Sequence, residues 1–222
     1  MPEAGGSNID VAHHLSEHIG HYEVLEIAEA VVLALVAIAT AWSGYQAALW
    51  TGHQSELYGT SSKLRIQAAG LQTTADQERL YDAATVVEWL KAEAHGEKKL
   101  AALFERRFLP EYRPAFEAWK ATDPLNNPNS PPGPQLMREY QSSKTEAAAS
   151  LNKRASDLFE QGNIARGHSD EYVRLTVTLA IVMLLTAISQ RFKVPAVRVG
   201  LVVLIAVLLA STMYHILTLP RA

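Results

Sequence analysis

Apolar positions along the chain gather into three long runs. Between the runs they recur only at helical spacing. The first run covers 26–50, and from Ala30 to Ala48 it carries no ionised side chain over nineteen residues. At ~1.5 Å rise per residue, such a stretch crosses a ~30 Å hydrocarbon layer. Two further runs at 172–190 and 197–219 have the same character. The pattern predicts an all-α integral membrane protein with three transmembrane helices, and residues 51–171 as an extramembrane antiparallel helical hairpin.

The lead-in, residues 1–25, reads as an amphipathic segment with Val11, Leu15, Ile19 and Tyr22 on one face. Past Trp50 the spacing of Leu57, Leu64, Ala68 and Leu71 carries the first helix on into water. Gly52, Gly59 and Gly70 each cost up to ~1 kcal/mol against alanine, so a bend is expected at one of them. From Asp76 to Ala94, Leu80, Ala83, Ala84, Val87, Leu90 and Ala94 are spaced to face a partner, and His95-Gly96 predicts a turn. A short helix over 98–108 stops at Pro110. Pro114 opens another, carrying Phe116 and Trp119. Residues 122–134 (TDPLNNPNSPPGP) exclude helix and central strand, because proline lacks the amide donor and fixes φ. A returning helix is expected from Gln135, with Leu136, Tyr140, Ala147, Leu151, Ala155, Leu158 and Phe159 as its apolar stripe. It continues through Asp170-Glu171 into the second membrane segment.

Inside the first apolar run, Ala30, Ala34, Ala37, Ala41, Gly44 and Ala48 follow the alternating four-and-three spacing of a coiled-coil seam. In lipid, where no hydrophobic force draws helices together, small residues permit close backbone approach. The stripe is therefore a packing face. Packing against the chain's own later membrane helices is the simpler reading, and a homo-oligomer interface is the alternative. Val31, Val32, Leu35, Val36 and Ile38 fall largely off the stripe and suit acyl chains.

Composition narrows the chemistry. Of 222 residues, 48% are hydrophobic and the formal net charge is −3, with no basic block, so nucleic acid is not an expected partner. There are no cysteines, which removes disulfides, thiolate metal sites and a cysteine nucleophile. The first apolar run follows an acidic, His-containing lead, which predicts an uncleaved anchor rather than a signal peptide. Arg191, Lys193 and Arg198 surround the very short connection between the last two runs. Short loops rich in Lys and Arg stay cytoplasmic, so the N-terminus and the 191–198 loop are expected in the cytoplasm and 51–171 outside, in a multi-pass cell-membrane protein. By the same connectivity Glu26 and Glu29 should lie near Arg191 or Arg198. Arg174 can snorkel to the opposite surface.

Two chemistries come under consideration. His14, Glu17, His18 and His21 fall at i, i+3, i+4 and i+7, with His13 nearby. Neutral imidazoles at that spacing bind zinc, nickel or copper, and protonated ones sense pH. No second ligand cluster closes the site, so a solvated polar face is the simpler account. Glu88, Glu93, His95, Glu97 and Glu105 form the nearest thing to an acid–base set, but Glu and Lys at helical spacing usually serve as surface charges. No phosphate loop, nucleophile elbow or His-Glu-x-x-His run occurs. No Asp, Glu or Lys sits in the middle of an apolar run, which argues against proton-driven transport.

The His13–His21 lead and Trp42-Ser43-Gly44-Tyr45-Gln46-Ala47-Ala48 resemble segments of a group of bacterial, mainly actinobacterial, three-helix membrane proteins without an assigned activity. So do Arg106-Arg107-Phe108, Arg113-Pro114-Ala115-Phe116-Glu117-Ala118-Trp119, Thr122-Asp123-Pro124-Leu125, Pro131-Pro132-Gly133-Pro134 and the closing pair of apolar runs. The resemblance implies the topology and no residue roles. The expected function is non-enzymatic: the projecting helical domain mediates assembly or binds a protein partner. An oligomeric channel and a metal or pH sensor through the His cluster are the alternatives.

Overall fold

The computed structural model describes the backbone of residues 6–192 and 194–222, and the side chains of 27, 29–192, 194 and 196–222. Every regular element among the described residues is helical: α1 (Gly6–Ala94), α2 (Lys98–Arg107), α3 (Arg113–Lys120), a 3-10 turn (Pro134–Leu136), α4 (Ser143–Ser189) and α5 (Pro195–Thr218). Three of these helices are long and apolar enough to cross a membrane, lying within Glu29–Ala94, Ser143–Ser189 and Ala196–Thr218. The chain divides into two compact units, one of residues 1–56 and 161–222, the other of residues 57–160.

In the first unit, α1, α4 and α5 share an apolar core of Val36, Ala39, Leu179, Val182, Ile205 and Ile216. Hydroxyls within the apolar stretches bond back to their own helices. Thr186 Oγ1 donates to the carbonyl of Val182 at 2.8 Å and Thr212 Oγ1 to that of Leu208 at 2.7 Å. These bonds satisfy donors that the apolar core leaves no other partner for. Ser169 Oγ crosses from α4 to the Ala47 carbonyl of α1 at 3.0 Å, and Thr51 Oγ1 meets it at 2.9 Å.

In the second unit, α1 continues as helix through Gly59 and Gly70, as it does through Gly52 in the first, so none of these glycines ends it. It ends in a Schellman arrangement. Gly96 takes φ +74, Glu97 N–H donates to Ala92 O at 2.9 Å, and Gly96 N–H donates to Glu93 O at 3.0 Å. The core here is aromatic, formed by Val86, Trp89, Ala92, Ala101, Phe108, Tyr112, Phe116 and Trp119. Trp89 is its centre, edge-on to Phe116 at 5.0 Å and to Trp119 at 6.1 Å.

Two expectations fail in this unit. The buried face of α1 is Ala75, Asp82, Thr85, Val86, Trp89 and Ala92, while Leu80 and Val87 are exposed. The large indole of Trp89 sets the rotation of the helix, and counting aliphatic positions put the face about one residue off. The returning helix begins at Ser143, not Gln135. Ser142 Oγ caps it by accepting the Thr145 N–H at 3.3 Å, and Glu111 accepts both the N–H and the hydroxyl of Ser143, at 3.0 and 2.6 Å. Leu136 sits in the 3-10 turn and is exposed.

Candidate functional site

Three places gather chemistry. The first is the pair Glu29 and Arg198, on α1 and at the start of α5. Arg198 Nη2 donates to Glu29 Oε1 at 2.9 Å, with both side chains largely withdrawn from solvent. Glu29 Oε2 and Arg198 Nε are buried without a partner, so one hydrogen bond carries a contact that two could share. Arg191 is exposed and in no ion pair among the described residues. Glu26 lies outside the described side chains.

The second place is the small-residue stripe. Ala30, Ala34, Ala37, Ala41, Gly44 and Ala48 are all exposed, and a methyl group added at Gly44 would touch nothing within 4 Å. The simpler reading of the seam, packing against the chain's own helices, is thereby corrected. Those helices take the opposite face, through Glu29, Val36, Ala39, Ser43, Gln46 and Ala47. Val36, expected to face acyl chains, is fully buried, whereas Val31, Leu35 and Ile38 remain outside. The stripe is left exposed, with the exposed bulky side chains Val31, Leu35, Ile38 and Trp42 beside it.

At the far end of the same unit, Trp50 Nε1 and the Tyr172 hydroxyl both donate to the carbonyl of Pro220, at 3.3 and 3.2 Å. Gln46 Oε1 accepts the N–H of Ala222 at 3.0 Å. No spacing in the sequence announces this tie.

The third place is the helical unit of residues 57–160. Asp82 is 2% exposed. One carboxylate oxygen finds no partner, nor does the buried hydroxyl of Tyr112. Burial first, then the neighbouring charge of Glu78, lift the Asp82 carboxyl from 3.8 to about 6, against a lowering hydrogen bond from the Leu109 backbone. Burial likewise pushes the hydroxyls of Tyr112 and Tyr140 upward, helped by the charge of Asp82. Neither helical spacing nor composition marked Asp82 as an inward residue.

The surrounding acids have structural work. Glu105 Oε1 accepts from Trp89 Nε1 at 2.9 Å and from Lys120 Nζ at 2.6 Å, and Lys120 lies 5.6 Å from the Trp89 ring. Glu88 pairs with Lys91 at 2.7 Å on the surface, and His95 Nδ1 bonds to the Lys91 carbonyl at 2.7 Å. Trp119 Nε1 donates to the Pro131 carbonyl at 2.7 Å, pinning the Pro-rich loop. Beside that loop an open groove of about 500 Å3 is lined by Asp76, Arg79, Leu80, Pro132 and Leu136 among others. Leu80 and Leu136 are 70% and 64% exposed there, so an apolar surface stands uncovered.

No group of His, Asp and Glu able to hold a metal occurs among the described residues, and His14, Glu17, His18 and His21 lie outside the described side chains. Set against protein families, curated proteins and solved structures, the chain finds no match.

Proposed function

We propose that this is a non-enzymatic multi-pass membrane protein that assembles with further copies of itself in the bilayer. In this reading 57–160 is an antiparallel helical hairpin outside the cytoplasm that offers a protein partner its groove. The observation that carries the reading is the exposed small-residue stripe on α1. A helix facing lipid alone gains nothing from six small residues in register, whereas a second helix can approach closely only along such a face. Val31, Leu35, Ile38 and Trp42 border it and would interlock with the same face of a second copy. The hairpin is supported by Ser61 Oγ bonding to the Ala155 carbonyl at 2.6 Å and by Lys144 Nζ meeting Glu78 at 2.6 Å. The charges of Arg191 and Arg198 support a cytoplasmic N-terminus.

The absence of cysteine makes the test direct. Single variants Ala37→Cys and Val36→Cys are oxidised in native membranes. Ala37→Cys is expected to give a disulfide-linked dimer and Val36→Cys to remain monomeric. A second change, Ala41→Leu, should cut the dimer yield about tenfold by blocking close approach. Equal crosslinking at both positions rejects the proposed face.

A further inference from the structure

At the end of the first unit where Trp50 and Tyr172 hold Pro220, a cleft of about 450 Å3 is lined by Glu171, Arg174, Leu175, His215, Thr218, Leu219 and Pro220. Its floor is apolar through Leu175 and Leu219, and its rim is charged. Arg166 Nε reaches Asp170 Oδ2 one turn along the same helix, at 3.7 Å. Glu171 and Arg174, three residues apart, are in no ion pair among the described residues. Both are exposed. A rim that holds a cation and a carboxylate side by side, each unpaired, matches a ligand carrying both charges.

We propose that this cleft binds a phospholipid with a phosphoethanolamine headgroup. The Arg174 guanidinium donates to the phosphate, the Glu171 carboxylate accepts from the ammonium, and Leu175 and Leu219 lie against the first acyl carbons. Side chains at i and i+3 stand ~5–6 Å apart at Cβ, a separation the short ethanolamine bridge can span. A choline headgroup has no N–H to offer Glu171, and a glycerol headgroup brings no cation. The place of Arg174 in the sequence argues the same way: two residues into an apolar run, a guanidinium needs water or phosphate, and in the membrane reading a phosphate sits at that level. The inference rests on the membrane reading above.

The experiment has two arms, both on the full chain. In the first, membranes carrying the protein are washed with alkaline carbonate. Release from the membrane overturns the membrane reading and this inference together, whereas retention leaves the lipid arm to decide the inference alone. In the second, detergent-solubilised protein is offered equal amounts of phosphatidylethanolamine, phosphatidylcholine and phosphatidylglycerol with matched acyl chains. Bound lipid is counted by native mass spectrometry. Phosphatidylethanolamine should be retained about tenfold over the other two, the worth of one charge-assisted hydrogen bond. Glu171→Gln should bring it down to the phosphatidylcholine level, and Arg174→Ala should lower all three while Arg174→Lys restores them. Water-soluble phosphoethanolamine at the same concentration should displace nothing. The proposal is overturned by equal retention of the three lipids, by a preference that survives Glu171→Gln, or by displacement with the soluble headgroup.

Discussion

Arg198 Nη2 lies 2.9 Å from Glu29 Oε1, joining two helices across 169 residues of sequence. The relationship follows from connectivity: three long apolar helices joined in succession, each running back along the one before, bring the beginning of the first apolar run beside the beginning of the last. What connectivity does not dictate is the withdrawal of both groups from solvent, with an orphaned oxygen and an orphaned nitrogen alongside.

That burial makes the pair far more costly to break than to replace. Arg198→Ala leaves the Glu29 carboxylate buried and unpaired, and should destabilise the protein by about 3 kcal/mol. Glu29→Met combined with Arg198→Met removes both charges and should come within about 1 kcal/mol of the parent. Thermal unfolding of the full chain in bicelles checks both. If the double variant loses as much as the single one, the contact stabilises through packing rather than charge.

Asp82 gives the helical unit a pH dependence opposite to that of an ion-paired acid. Its carboxyl is raised in the folded protein, from 3.8 to about 6, so the folded state binds this proton more tightly than the unfolded chain. The resulting contribution is fully present below the unfolded value and is lost as pH rises through the folded one. Its size is on the order of 2 kcal/mol. Glu78, Tyr112 and Tyr140 surround the group, and both tyrosines titrate well above this window. Asp82→Asn should therefore stabilise the unit at neutral pH by roughly 1–2 kcal/mol and flatten the slope between about pH 4 and 7. Denaturant unfolding across that range is the measurement, and an unchanged slope in the variant would assign the titration elsewhere. Glu111 acts in the other sense. Its hydrogen bonds to Ser143 hold its carboxyl below the usual range, so the contact at the start of α4 weakens only on acidification.

Trp119 ties the Pro-rich loop to the aromatic core. Trp119→Phe keeps most of the ring but strands the Pro131 carbonyl, a loss of about 1–2 kcal/mol. Trp119→Ala also opens a cavity and should cost about 3–5 kcal/mol. Limited proteolysis should cut within 122–134 sooner in Trp119→Phe than in the parent. Matching cleavage rates would show that other contacts hold the loop.

The legible part of the fold was what depends on local chemistry. Three long apolar runs marked the long apolar helices, Gly96 marked the end of α1, Pro110 the stop after α2, and Pro114 the start of α3. The return of α4 was legible in outline only. Leu136 and Tyr140 carry helical spacing, but Ser142 supplies a cap, and local hydrogen bonding outweighed periodicity. The faces were harder to read than the elements. Small residues on α1 satisfy the same spacing rule whichever helix they meet, and only the placement of α4 and α5 shows that they meet neither. Asp82 escaped notice because a carboxylate on a helix is normally a surface charge. Its burial comes with the chain at Leu109 and Tyr112 lying against it, a long-range outcome with no local mark.

The small residues of the stripe from Ala30 to Ala48 are exposed among the described residues. Substitutions there leave the folding of a single copy almost untouched, so a screen for heat resistance or expression would let them pass unseen. Under the assembly proposed above, only a method that counts how many copies travel together would register them, and on such a method this face should be the least forgiving part of the molecule.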